Sequence, residues 1–150
     1  MKKSIRIAAI TILAIGVCAV LIGIASKSIF ASGADPFEAP VEMRCTCYTD
    51  TGITASGQHT RPGIIAGKRE WMGCTAALYD INEDGSIGDF IGYYEVLDTG
   101  AGIDTDGDGY GDSITNGTSI DVWVPNDAAV REWQQAHGDT VFMILYRGVG

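Results

Sequence analysis

From Ile120 to Arg147 the chain reads Ile120-Asp121-Val122-Trp123-Val124, then Pro125-Asn126-Asp127, then Ala128-Ala129-Val130-Arg131-Glu132-Trp133-Gln134-Gln135-Ala136-His137, then Gly138-Asp139, then Thr140-Val141-Phe142-Met143-Ile144-Leu145-Tyr146-Arg147. The outer runs are rich in β-branched and aromatic residues and predict two strands. The middle predicts one helix. Asn126 is a good N-cap, Asp127 suits the positive end of the helix dipole, and Gly138 can adopt the left-handed conformation that stops a helix. Ala129, Val130, Trp133 and Ala136 recur at helical spacing, a face suited to covering one side of a sheet.

Further strands extend this pattern toward the N-terminus. Val41 to Thr49 alternates, with Cys45 and Cys47 on one face, and Ile64-Ile65-Ala66 is a short apolar run behind the Pro62-Gly63 turn. Cys74 to Tyr79 and Phe90 to Leu97 flank Glu83-Asp84-Gly85-Ser86, which predicts a hairpin. Many short strands and one helix point to a mainly β fold, a small closed or nearly closed barrel.

At 150 residues and 46% hydrophobic, the chain has material for one domain with a real core, and it is too apolar to be disordered. Lys2, Lys3 and Arg6 precede an uncharged apolar run from Ile7 to Ala25, followed by Lys27 and the small residues Ala31-Ser32-Gly33-Ala34. That is the pattern of an export signal, or of an uncleaved N-terminal membrane anchor of similar length. We assign residues 1–31 to this leader and 32–42 to a linker around the two prolines of Asp35 to Pro40. Residues 43–150 form the domain, outside the cytoplasm. The strand pattern from Val41 reaches back across the last two linker positions.

After Lys27 six basic residues face nineteen acidic ones, a balance of -13. That excess repels phosphate backbones and argues against nucleic acid as a partner, while favouring cations. Cys45, Cys47 and Cys74 follow the leader, an odd number. In an oxidising compartment Cys74 can pair with Cys45 or Cys47, and three buried thiols are the equal alternative. His59 lies in a polar loop, and His137 sits in the last helical turn, where a structural role is expected.

The ordered set Cys47-Tyr48-Thr49, Thr54-Ala55-Ser56-Gly57, Pro62-Gly63-Ile64-Ile65-Ala66, Trp71-Met72-Gly73, Asp98-Thr99-Gly100 and Ile120-Asp121-Val122-Trp123 resembles the three-aspartate (3D) domain family. The resemblance spans about residues 43 to 147. It implies a double-psi β-barrel similar to the catalytic barrel of membrane-bound lytic transglycosylases, acting on peptidoglycan glycan strands. This chain departs from the family twice. Ala66-Gly67-Lys68-Arg69 stands where the family's first aspartate falls, and Asp121 follows Asp98 by 23 positions, a much longer connection than the family's.

Cleaving a glycosidic bond needs a proton for the leaving oxygen and stabilisation of an oxocarbenium-like transition state. Asp121, between Ile120 and Val122, has the apolar surroundings that keep a carboxyl protonated, and is the expected acid/base. Asp98 ends an apolar strand at the turn Thr99-Gly100, and is expected to orient Asp121 or tune it through a shared hydrogen bond. Tyr48 and Trp71 offer flat faces for a sugar ring, and Thr54, Ser56, Thr99 and Gly100 offer polar or close backbone contacts. The alternative is a glycan- or surface-binding module that cuts nothing.

Asp104-Thr105-Asp106-Gly107-Asp108-Gly109-Tyr110-Gly111-Asp112 carries carboxylates at positions 1, 3, 5 and 9 of an EF-hand-type loop, Gly at 6 and the Tyr110 carbonyl at 7. Thr115 stands where the bidentate Glu belongs. The expectation is a loose, structural Ca2+ site held by Asp104, Asp106, Asp108, Tyr110 and Asp112. Asp80 to Ile87 begins in the same way but reads better as the hairpin turn.

Overall fold

The computed structural model describes Pro36 and residues 39–147. The leader lies outside the described residues, as does most of the linker before Ala39. Among the described residues no helix is long and apolar enough to cross a membrane.

Six strands carry the fold: β1 (Val41–Tyr48), β2 (Ile64–Ala66), β3 (Thr75–Ile81), β4 (Ile87–Asp98), β5 (Ser119–Trp123) and β6 (Thr140–Tyr146). A short 3-10 turn, Arg69–Trp71, follows β2, and one helix, α1 (Asp127–His137), joins β5 to β6. The protein is mainly β. Each strand pairs with two neighbours, and the order β1-β5-β2-β4-β3-β6 returns to β1. Val41 and Glu42, assigned above to the linker, belong to β1, where they pair with Met143 and Phe142 of β6.

Alternation decides which side chains meet inside. Met43 and Cys45, Ile65, Ala76 and Leu78, Val96, Ile120 and Val122, and Val141, Met143 and Leu145 come from all six strands and form one buried cluster. Burying such side chains contributes about 1.5–3 kcal/mol each for the larger ones. Among the aromatic residues Trp71 joins this core.

Helix α1 begins where the cap residues predicted: the Asn126 side chain accepts a 3.0 Å hydrogen bond from the Ala129 N–H. Gly138, at φ 72°, ends it. Ala129, Val130 and Trp133 pack on the core, but Ala136 is exposed, so the covering face is narrower than its spacing suggested. His137 takes the next place on that face. Its Nδ1 lies 2.8 Å from Asp80 Oδ1 and its ring lies against Trp133, which fastens the helix end to β3. That is the structural role expected of His137.

β3 and β4 form the expected hairpin, with Gly85 N–H bonded to Asn82 O at its turn. Cys45, Cys47 and Cys74 are free thiols, all three packed in or against the same core.

Candidate functional site

The three-residue strand β2 organises the site. It lies between β4 and β5, and its last residue, Ala66, is in register with Asp98 on one side and Asp121 on the other. Two strand spacings put the two aspartate backbones about 10 Å apart. Strand parity would turn Asp98 inward with Val96. A register shift between Ile65 and Ala66 leaves Leu97 as an extra residue on β4, so that Asp98 rather than Leu97 faces Ala66. Bulges of this kind re-aim a side chain.

Both carboxylates line one open cleft of about 300 Å3, together with Tyr48, Asp50, Thr51, Gly52, Ile53, Thr60, Ala66, Thr99, Gly100 and Ile114. Three of these residues are aspartates and none is Lys, Arg or His. Ile64, Leu97 and Trp123 form a second, smaller apolar cluster with Tyr48 packed on it, which backs this face of the sheet.

Asp121 is half-buried. The parallel pairing of β1 with β5 sets Thr46 beside it, and Thr46 Oγ1 donates a 2.8 Å hydrogen bond to Asp121 Oδ1. Burial pushes the carboxyl up from its ordinary pKa; the Thr46 bond opposes that, and the charge of Asp50 adds to it. Asp98 is held differently. Its Oδ1 accepts from the backbone N–H groups of Ala55 and Thr99, both at 2.9 Å, and its Oδ2 accepts from Tyr48 Oη at 3.2 Å. Burial, and then the charge of Asp98, raises the Tyr48 pKa, so its hydroxyl stays a donor.

Among the described residues Asp98 and Asp121 share no hydrogen bond, contrary to the expected tuning contact; each has its own partners. The structure brings together Asp98, Asp121, Tyr48, Thr99 and Gly100. It does not bring Trp71, Thr54 or Ser56 to the lining. Trp71 is 7% exposed, a core residue behind Gly67 and Gly117. Thr54 is buried and bonded to Ser56 Oγ and Gln58 O, while Ser56 N–H bonds to Leu97 O. These two shape the loop whose Ala55 N–H holds Asp98.

Sequence pattern did not single out Thr46 or Asp50. The alternation that put Cys45 and Cys47 on one face of β1 puts Thr46 and Tyr48 on the other, and Asp50 continues that parity past the strand end. Ile114 was missed as well, since it arrives from the long connection. Ser113 Oγ lies 2.7 Å from Ser119 Oγ and accepts from Ile103 N–H, docking that segment so that Ile114 meets the cleft.

Further out on the same connection, carboxylate oxygens of Asp104, Asp106 and Asp108 lie within 4.8 Å of one another, and all three residues are exposed. Asp104 accepts from the N–H groups of Gly107 and Gly109, which hold its carboxyl below the usual pKa. Asp112 instead accepts from the Thr105 N–H and hydroxyl, and the Tyr110 N–H bonds to Asp108. The donor set is oxygen only and its spacing suits a hard cation with bonds of about 2.3–2.6 Å.

No protein-family model, curated protein or solved structure matches the chain.

Proposed function

We propose that the chain is an exported enzyme of the bacterial cell wall, a double-psi β-barrel of the three-aspartate type that cleaves glycosidic bonds of peptidoglycan. The observation that carries this reading is the shared cleft: Asp98 and Asp121 line one groove of sugar size, and Asp121 is the carboxyl whose burial favours its protonated form. The N-terminal segment serves as export signal or membrane anchor.

In the proposed reaction Asp121 gives its proton to the glycosidic oxygen as the C1–O4 bond breaks. The sugar's own 6-hydroxyl attacks C1, and the Asp121 carboxylate takes the hydroxyl proton as the C1–O6 bond forms. No water is consumed, and Asp121 ends as it began. Asp98, with both oxygens accepting, offers negative charge to the oxocarbenium-like transition state. Tyr48 holds Asp98 in place and lines the groove beside the sugar.

A structural Ca2+ at Asp104, Asp106 and Asp108, with Asp112 and the Tyr110 carbonyl as further ligands, would order the connection that delivers Ile114. The ion's part is to neutralise carboxylates that otherwise repel.

A second reading has one observation in its favour. Ala66 occupies the wall between the two aspartates, so the family's first carboxylate is missing from the cleft. In that reading the cleft holds glycan without cutting it.

Mass analysis of purified peptidoglycan after incubation with the chain separates the two. Release of anhydro-muropeptides, abolished in Asp121→Asn, is the expected result. Intact glycan that co-sediments with the protein overturns the enzymatic reading in favour of binding.

A further inference from the structure

Asp50 is held over the cleft through its backbone. Past the last β1–β5 pair, Tyr48 with Trp123, the two chains stay joined: Val124 N–H bonds to Tyr48 O at 3.0 Å, and Trp123 Nε1 donates to Asp50 O at 2.8 Å. Trp123 lies two residues beyond Asp121 on the same strand. This clamp uses the carbonyl of residue 50 and is indifferent to its side chain. Among the described residues the Asp50 carboxylate has no hydrogen bond and no ion pair, and no Lys, Arg or His lines the cleft to offset it.

The groups that face Asp121 leave Asp50 in a distinctive position. From β1 come Thr46, which bonds to it, and Tyr48, raised in pKa and neutral near pH 7; Cys45 and Cys47, on the core side of the same strand, are raised in pKa and neutral as well. From β2 comes Ala66, which carries no charge, and from β4 comes Asp98, whose oxygens are engaged by Tyr48, Ala55 and Thr99. An unpaired carboxylate in the same groove as a half-buried carboxyl disfavours the second negative charge.

We propose that Asp50 is a positioning residue of the cleft, whose charge adds to burial in holding the proton on Asp121 and so extends upward the pH range over which Asp121 acts as the acid. The proposal rests on the acid role given to Asp121 above. Asp50 touches no reacting atom in it and acts through Asp121 alone.

The test is a carboxyl-carbon NMR titration of the full-length chain, with the Asp121 resonance assigned by its loss in Asp121→Asn. In Asp50→Asn the Asp121 titration moves down by about half a pH unit, as expected for one partly solvated charge removed nearby. Asp50→Glu restores it. The gap between wild type and Asp50→Asn closes in 1 M salt, where the screening length falls to about 3 Å. In the cleavage assay the alkaline limb of the kcat profile moves down by the same amount, whereas a merely structural role lowers kcat at every pH and leaves the limb in place.

An Asp121 resonance that titrates at one pH in wild type and in Asp50→Asn overturns the proposal. The titration needs no turnover, so a chain that cuts no glycan ends the enzymatic reading without deciding whether the two carboxyl groups are linked. Should Asp50→Asn not fold, Asp50→Ser removes the same charge with a smaller side chain and decides the same question: Asp121 must titrate lower than in wild type, and an unmoved titration overturns the link.

Discussion

Tyr48 donates a 3.2 Å hydrogen bond to Asp98 across 50 positions of sequence, and so ties the last residue of β1 to the last residue of β4. Neither strand pairs with the other; β5 and β2 lie between them. Both residues line the cleft, and the catalytic reading depends on the groove keeping its shape.

Tyr48→Phe keeps the ring on the second apolar cluster and removes only this bond. The expected loss of stability is about 1.5 kcal/mol, where neutral and charge-assisted hydrogen bonds meet, because the groove is open to water. A urea midpoint equal to that of wild type would show that the bond does not hold the cleft.

Asp121 predicts a pH dependence of stability with a definite sign. Its folded-state pKa is raised above the ordinary value of 3.8, chiefly by burial. Between the unfolded and folded pKa values the native state binds more protons, so this group's contribution is complete below pH 3.8 and is lost as pH rises through the folded value. Asp121→Asn carries no such contribution. Its melting temperature therefore gains on wild type as pH increases from about 3.5 to about 7, and a constant difference over that range would contradict the shift.

The acidic loop predicts a calcium dependence. Calorimetric titration of the full chain with Ca2+ should show binding, and the melting temperature should rise with free Ca2+ as expected for a ligand of the folded state alone. Asp104→Ala removes the acceptor of the Gly107 and Gly109 N–H groups as well as a ligand, and should abolish both effects. Asp106→Asn keeps the loop's size while removing one charge and should weaken binding. Wild-type melting that ignores Ca2+ counts against the site.

The thiols predict low reactivity. Burial first, then the neighbouring Cys47, pushes Cys45 up to about 12; burial and Asp121 push Cys47 up to about 11. At about pH 8 only about one Cys47 in a thousand is a thiolate. Iodoacetamide should spare Cys45 and Cys47 in the folded chain and modify them once it is unfolded. Unfolding without reductant should expose Cys45, Cys47 and Cys74 alike as free thiols, and a cross-linked peptide containing Cys74 would contradict this.

Much of the secondary structure could be read residue by residue. Asn126 and Gly138 bound the helix because caps act over three or four residues; Gly85 turns the β3–β4 hairpin for an equally local reason. The carboxylate spacing of Asp104, Asp106 and Asp108 is local too, and those oxygens do gather. Alternation in β1 told which residues share a face, and Cys45 on the core side is its result.

Chain composition and short-range pattern thus settled the β content, the helix with both its ends, and an acidic loop able to gather oxygens. Which strands became neighbours was a matter for the folded molecule. Periodicity sorts the two faces of one strand, but hydrogen bonding between distant segments chooses the partner and the register. That choice put Thr46 beside Asp121, set Ala66 between Asp98 and Asp121 through a one-residue bulge, brought Asp50 over the groove, and sent Trp71 into the core.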